Sequence, residues 1–281
     1  MHDKRSLEPV ILKILMLGDS IGKTGRSLFA RHVPTVRTEY DLDAVIVNGE
    51  NSADDGMGIT AQDADFFFAH GADVITTGNH VWDKKDIFPY IAAHDRVLRP
   101  ANLSLLCPGK GITFFTCQKG YTIGVMNLMG RVFMASGLDC PFKKAIAYLK
   151  EAAGITPIVF IDFHAQATAE KLGLAYFLDG KVTAVVGTHT HTQTNDARIL
   201  PEGTGYITDL GMMGSVNSVL GFCPEDAVYE QTTGMPIKFK VATKAPYIVT
   251  GALFSVDFLT GKTIGLEPFY LFDEEPLEEG G

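Results

Sequence analysis

Short apolar runs, each closed by small or polar residues, punctuate the first three quarters of the chain. Residues 11–17 run into Gly18-Asp19-Ser20, 44–47 into Asn48-Gly49-Glu50-Asn51, and 74–77 into Gly78-Asn79-His80. Further on, 123–126 ends at Asn127, 158–161 at Asp162-Phe163-His164, 182–186 at Gly187-Thr188-His189, and 206–208 at Asp209. The runs are β-rich and do not alternate with polar residues, which predicts strands buried on both faces. Between them, amphipathic spacing predicts helices over 26–40, 60–70, 84–94, 140–153 and 167–179. Strands alternating with helices predict a layered α/β fold.

From about Tyr247 the pattern changes. Apolar stretches over 248–258 and 264–272 flank Thr260-Gly261-Lys262, which predicts an antiparallel hairpin. No internal repeat or low-complexity linker divides the chain, so the reading is one domain over 1–281. Within it, 1–10 reads as a polar tail and 273–281 as an acidic, frayed one. The weakly periodic stretch 211–245 reads as a loop or cap region over the site, since long irregular segments in compact domains are often lids.

Composition narrows the partners. The 281 residues carry a net charge of -9, and an acidic chain repels polyanions, so a broad nucleic-acid surface is not expected. A phosphate-handling pocket is still compatible, because bound metal ions reverse the local field. Cys107, Cys117, Cys140 and Cys223 show no C-x-x-C spacing and read as free thiols in a reducing cytoplasm. The apolar run near the N-terminus is interrupted by Lys13 and is too short to span a bilayer, and no other stretch is long enough. Self-association into homo-oligomers is left open.

The candidate chemistry lies at the strand ends: Asp19, Glu50, Asn51, Asn79, His80, His164, His189 and His191. In open α/β sheets ligands bind beyond the carboxyl ends of the strands, so parallel strands would bring all eight to one edge. Carboxylate, amide oxygen and imidazole together suit Mn, Fe, Zn or Mg. Seven ligands with one bridging imply two ions, which clamp a phosphoryl group and generate a hydroxide nucleophile. In an extended segment His189 and His191 point the same way, which favours a metal pair. Taken singly, the other pieces have plainer readings. Glu50-Asn51 reads as an Asx turn, Asn79-His80 as the cap of a helix near Trp82, and His164 equally as a buried histidine or a ligand. Gly18–Gly25 looks like a phosphate loop but lacks the G-x-x-x-x-G-K-[ST] spacing. His32, His70 and His94 fall in helical stretches and read as surface residues.

The ordered series Asp19, Glu50, Gly78-Asn79-His80, His164 and Gly187-Thr188-His189-Thr190-His191 resembles the calcineurin-like metallophosphoesterase superfamily. Two departures stand out: the usual Asp-x-His is Asp19-Ser20-Ile21, and the usual second Asp is Glu50. Both match the YmdB-like 2′,3′-cyclic-nucleotide 2′-phosphodiesterases. The segments LGDSIGKTGR, VNGENSADDGMGIT, TTGNHVWDKK, NLMGRVFM, DFHAQATAEK, VVGTHTHTQTNDARILP and TDLGMMG are similar to that branch over 17–214. Gln166 stands where the branch usually has Glu, which puts a supporting role of that residue in doubt. The resemblance implies a sandwich of β-sheets flanked by helices, with two iron or manganese ions at the strand ends. It implies Asp19, Glu50, Asn51 and His191 at one ion, and Glu50, Asn79, His164 and His189 at the other. It implies His80 as general acid and a cyclic-nucleotide phosphodiester as substrate. The alternatives are a non-catalytic nucleotide sensor or a phosphomonoesterase on the same fold.

Overall fold

In the computed structural model, residues 10–134 and 137–277 are described. The 1–10 tail, apart from Val10, and the end of the acidic tail lie outside them. Twelve strands and six helices occupy the described residues. The strands β1 (Ile11–Ser20), β2 (Ala44–Asn48) and β3 (Val74–Thr76) pair in parallel. They are joined by β10 (Met212–Ser215), β11 (Tyr247–Asp257) and β12 (Thr263–Asp273) in a sheet of order β12-β11-β10-β1-β2-β3. The second sheet runs β4-β5-β6-β7-β9-β8. Its members are β4 (Ile112–Thr116), β5 (Thr122–Met129), β6 (Val159–His164), β7 (Ala184–Thr188), β8 (Arg198–Ile199) and β9 (Gly205–Ile207). The site-bearing strands therefore divide between two sheets instead of sharing one edge.

The period of β1 shows how the layers form. Leu12, Ile14 and Met16 join Ala44, Ile46, Ile123, Val125, Phe160 and Ala184 in a core between the sheets. Leu15 and Leu17 face the other way, into a core with Leu28, Phe29, Phe67 and Ile87. Those four come from α1 (Gly22–Glu39), α2 (Ala61–Ala69) and α3 (Ile87–Ala93). A third core packs β5, β6 and β7 against α4 (Pro141–Ala152) and α5 (Thr168–Phe177). Successive strand residues point to opposite faces, so a strand covered on both reads as a continuous apolar run. The result is a four-layer α/β/β/α sandwich.

Helix starts sit within a few residues of the predicted ones, and α2 opens with a capping box between Thr60 and Asp63. The stretch 211–245 is not all loop: it holds β10 and α6 (Pro224–Thr233). Asp273 is not frayed; it ends β12 buried, 2.7 Å from His32 Nε2 and 2.9 Å from Arg31 Nη1. His32 is accordingly a partly buried partner of that carboxylate and not a free surface residue. The four cysteines are free. No helix among the described residues is long and apolar enough to cross a membrane.

Candidate metal centre

The parallel strands of both sheets end on the same side, and their terminal residues meet there. Asp19 sits one residue from the end of β1, paired across to Asn48 of β2 and Met212 of β10. Glu50 and Asn51 occupy the turn after β2, where Asn48 Oδ1 accepts the Glu50 N–H at 3.1 Å. Asn79 and His80 follow β3, and Gly78 makes room for them: a Cβ there would overlap Glu50 Oε2 and the His164 ring. His164 ends β6, and His189 and His191 follow β7.

The extended geometry expected for the histidine pair is not what brings them together. His189 has φ of 101° and His191 has φ of 58°, both in the left-handed half of backbone space. Non-glycine residues reach that region at a cost and persist there only when their surroundings hold them. The turn spreads the two rings apart. His189 Nδ1 lies 3.0 Å from His164 Nε2, whereas His191 Nε2 lies 3.7 Å from Asp19 Oδ1.

Glu50, His164 and His189 each present a ligand atom within 4.8 Å of the others. These groups also lie within hydrogen-bond distance of one another: His164 Nε2 is 2.9 Å from Glu50 Oε1 and 3.0 Å from Asn79 Oδ1. The second group differs. Among the described residues, Asp19 Oδ1 and Asn51 Oδ1 are buried and accept no hydrogen bond, and the neighbouring Ser20 Oγ is likewise buried without a partner. Asn51 turns its amide nitrogen to Gly56 O at 2.8 Å, leaving its oxygen facing inward. Buried acceptors without partners are rare and costly, and this pair fits a cation bound beside them.

Electrostatics follow from the burial. Burial pushes the Asp19 carboxyl up to about 6, against the pull of His191 and His164. Burial would raise Glu50 as well, but the charge and hydrogen bond of His164, with His80 behind, hold it at about 2. His164 is correspondingly raised to about 9: burial opposes its charge, but Glu50 and Asp19 outweigh it. Burial and the charge on His164 together push His189 down to about 3.

Beneath these side chains lies a polar network absent from the sequence reading. Asp162, in the middle of β6 and 1% exposed, accepts from Asn48 Nδ2 at 3.0 Å and Thr188 Oγ1 at 2.7 Å, and also from Thr76 Oγ1. One carboxylate thus ties the ends of β2 and β3 to β6 and β7 across the two sheets. Thr188 Oγ1 also lies 2.9 Å from His164 Nδ1. On the far side, Lys171 of α5 is 1% exposed and donates to Asp209 Oδ2 at 2.7 Å and Thr188 O at 2.9 Å. Asp209 in turn accepts from Thr190 N at 3.1 Å and Gly211 N at 2.9 Å. Between the two histidines, Thr190 is therefore held by a buried ion pair.

A cavity of about 520 Å³ opens over the cluster. Glu50, Asn51, His80, His189 and His191 form its polar end, and Gln166 is exposed at its edge. His80 caps no helix, since α3 begins at Ile87 with Asp86 as its cap residue. Its backbone N–H points at Glu50 Oε2 at 3.3 Å, and its Nδ1 pairs with Asp83 Oδ2 at 2.8 Å. The other ring nitrogen is left for the cavity. The Gly18–Gly25 run forms the end of β1 and the start of α1, with Gly22 at φ of 58°.

All eight residues singled out in the sequence thus gather at the strand ends. Asp162, Thr188, Lys171 and Asp209 were missed as functional. An Asp inside the apolar run of β6 was the one available signal for Asp162. Nothing local marks Lys171, whose partner is 38 residues away.

Comparison with known proteins gives the same direction. The family described as YmdB-like protein matches residues 15–269. A curated relative from Bacillus subtilis (strain 168), named 2′,3′-cyclic-nucleotide 2′-phosphodiesterase, is 44% identical over 95% of this chain and 100% of its own length. Among solved structures, a protein described as a novel phosphatase from Mycoplasma pneumoniae superposes with a TM-score of 0.88 at 32% identity, covering 96% of each chain. A hypothetical protein from Thermus thermophilus superposes with a TM-score of 0.86 at 34% identity, covering 93% of this chain and 100% of its own.

Proposed function

This chain belongs to the YmdB-like family, and from that membership and its buried donor cluster we propose that it is a metal-dependent phosphodiesterase opening 2′,3′-cyclic nucleotides. The observation that carries the reading is the pair of buried, unpartnered oxygens on Asp19 and Asn51, set beside the Glu50–His164–His189 cluster. Asp19, Glu50, Asn51 and His191 would hold one ion, and Glu50, Asn79, His164 and His189 would hold a second. The donor set of carboxylates, amide oxygens and imidazoles suits Mn, Fe, Zn or Mg, and the family resemblance narrows this to iron or manganese. Such ions, when bound, supply charge neutralisation on the phosphoryl oxygens and an activated water.

The chain's own residues supply the rest. His80 is anchored through Nδ1 by Asp83 and turns Nε2 to the cavity. An imidazolium held there gives its proton to the departing 2′-oxygen as the bond from phosphorus breaks. A ribose alkoxide is a poor leaving group, so this proton matters; positioned general acids typically contribute about 10²–10⁴-fold. Asn79, directly before His80, keeps the acid next to the cluster without making it a ligand.

The test compares metal-loaded protein on 2′,3′-cyclic AMP, 3′,5′-cyclic AMP and p-nitrophenyl phosphate, together with His80→Ala. The 2′,3′-cyclic diester should be preferred. His80→Ala should keep its metal and lose about 10²–10⁴-fold on that substrate. Its loss on bis-p-nitrophenyl phosphate, whose leaving group needs little protonation, should be much smaller. Equal losses on both substrates would remove His80 from the acid role. A preference for the monoester, or tight binding without turnover, would replace the diesterase reading with a phosphatase or a sensor.

A further inference from the structure

The polar end of the cavity is accounted for by the proposed chemistry; its opposite wall is not. That wall is apolar and aromatic, built from Met57, Leu220, Phe222 and Phe239, with Glu230 and Gln231 at its rim. The Phe222 and Phe239 rings lie 5.7 Å apart at 44°. Both are partly buried, and neither belongs to the three apolar cores of the sandwich.

Two of the proposed ligands fix this wall in place. His191 Nδ1 donates to Leu220 O at 2.9 Å, and Asn51 Nδ2 donates to Gly56 O at 2.8 Å. Gly56, with φ of 77°, lies flat against Phe222, where a Cβ would come within 2.7 Å of ring atom Cε1. Bridges from Phe222 to Val219 and Val241 hold the ring's backbone. The wall and the donor cluster are therefore tied directly to each other and line one cavity.

We propose that this wall is the nucleobase subsite of the enzyme, with the base lodged against Phe222 and Phe239 and its polar edge turned to Glu230 and Gln231. The inference rests on the phosphodiesterase reading. A nucleoside cyclic phosphate has the matching polarity: a charged end, and a planar heterocycle whose faces are apolar and whose edge carries donors and acceptors. Glu230 accepts from exocyclic amino groups, and Gln231 both donates and accepts. The cavity volume of about 520 Å³ lies within the range of about 300–1,000 Å³ usual for small-ligand sites. Stacking on aromatic side chains tolerates every base, so the two rings select for the presence of a base, while Glu230 favours bases that carry an exocyclic amino group.

The test uses two five-membered cyclic diesters, 2′,3′-cyclic AMP and the base-free glycerol 1,2-cyclic phosphate, with metal-loaded wild type, Phe239→Ala and Phe222→Leu. In Phe239→Ala, KM for 2′,3′-cyclic AMP should rise about 5- to 150-fold, the range expected for one lost stacking partner. KM for the glycerol diester should show no comparable rise. Phe222→Leu keeps the bulk but loses the aromatic face, and should move in the same direction by less. Equal losses on both diesters, or no loss on either, overturn the base site. If wild type turns over neither diester, the hydrolase reading has failed, and the wall is then read from binding. Calorimetric affinity for adenosine 3′-monophosphate should fall in Phe239→Ala while that for glycerol 3-phosphate holds. Unchanged affinity for the nucleotide overturns the inference.

Discussion

Thr188→Val exchanges one hydroxyl for a methyl at nearly constant volume, at a fully buried position between the two sheets. The hydroxyl has one hydrogen and three neighbours. The Asp162 carboxylate can only accept, so the O–H points to Asp162 Oδ1 at 2.7 Å. Its lone pairs then accept from His164 Nδ1 at 2.9 Å and Asn48 Nδ2 at 3.2 Å. This fixes a proton of His164 on Nδ1 and leaves Nε2, the nitrogen facing Glu50 and Asn79, to ligate the proposed ion. In the valine variant the Nδ1–H is buried without a partner, and Asp162 loses one of its three side-chain donors. Leaving a buried donor unmade costs about 1–3 kcal/mol. Removing the partner of a metal-ligating histidine typically costs about 10–100-fold in affinity or activity. The expected outcome is a folded protein whose metal affinity, read by titration of the apoprotein with Mn²⁺, falls by about 10–100-fold. Thr188→Ser keeps the hydroxyl and should restore most of it. If Thr188→Val binds metal like wild type, or if Thr188→Ser fails as badly as Thr188→Val, the hydroxyl does not set the tautomer.

Three further outcomes follow from the same geometry. Glu50→Gln should lower metal content at both positions, whereas Asn51→Ala should affect mainly one; undiminished content in Glu50→Gln, measured by elemental analysis, removes it as the shared ligand. Lys171→Met leaves Asp209 as an uncompensated buried charge, which costs about 3–5 kcal/mol and should lower Tm by roughly 6–20 °C at about 2–4 °C per kcal/mol. The double variant Lys171→Met/Asp209→Leu should recover part of that loss in the same thermal melt. Adding Mn²⁺ at about 100 times its Kd to chelated protein should stabilise it by about 2.7 kcal/mol, raising Tm by roughly 5–10 °C; an unmoved Tm would mean that the cluster binds no Mn²⁺ in the folded state.

How much of this was legible in the sequence depended on whether the signal was local. The strands that carry Asp19, Glu50 and His164 were readable because each is an apolar run closed by polar residues, and burial on both faces produces that pattern directly. The family motifs then supplied the ordered donor series. The division into two sheets was not readable from periodicity, since β2 and β6 have the same continuous apolar character although they lie in different sheets. Nor was the conformation of His189 and His191. An i, i+2 pair implies shared direction only in extended backbone, and φ of 101° and 58° at those residues separates them toward different neighbours. The short strands β8 and β10 are two and four residues long, too brief for a periodic signal. Lys171 and Phe239 illustrate the remaining limit. Each reads as an ordinary residue of its own segment, and each acquires its role from a partner distant in sequence.

The buried carboxylates give the electrostatic argument for the proposed cation position. Asp19, Glu50, Asp162 and Asp209 are all 0–1% exposed, in or just beyond the strands that reach the site, and each must be compensated to remain there. Asp209 has Lys171 at 2.7 Å. Glu50 has His164 at 2.9 Å. Asp162 has no cation in hydrogen-bond contact, but the Thr76 and Thr188 hydroxyls and the Asn48 amide donate to it. Asp19 differs from the other three. Its Oδ2 accepts only the His189 N–H at 3.2 Å, its Oδ1 accepts nothing, and the nearest imidazole nitrogens stay 3.7 and 4.0 Å away. Burial accordingly pushes its carboxyl up to about 6. The fold therefore concentrates its unmet electrostatic demand on one oxygen, beside an equally unpartnered Asn51 oxygen and facing His191. A divalent cation there would meet that demand in a way no protein side chain among the described residues does, which is the electrostatic argument for the first of the two proposed ion positions.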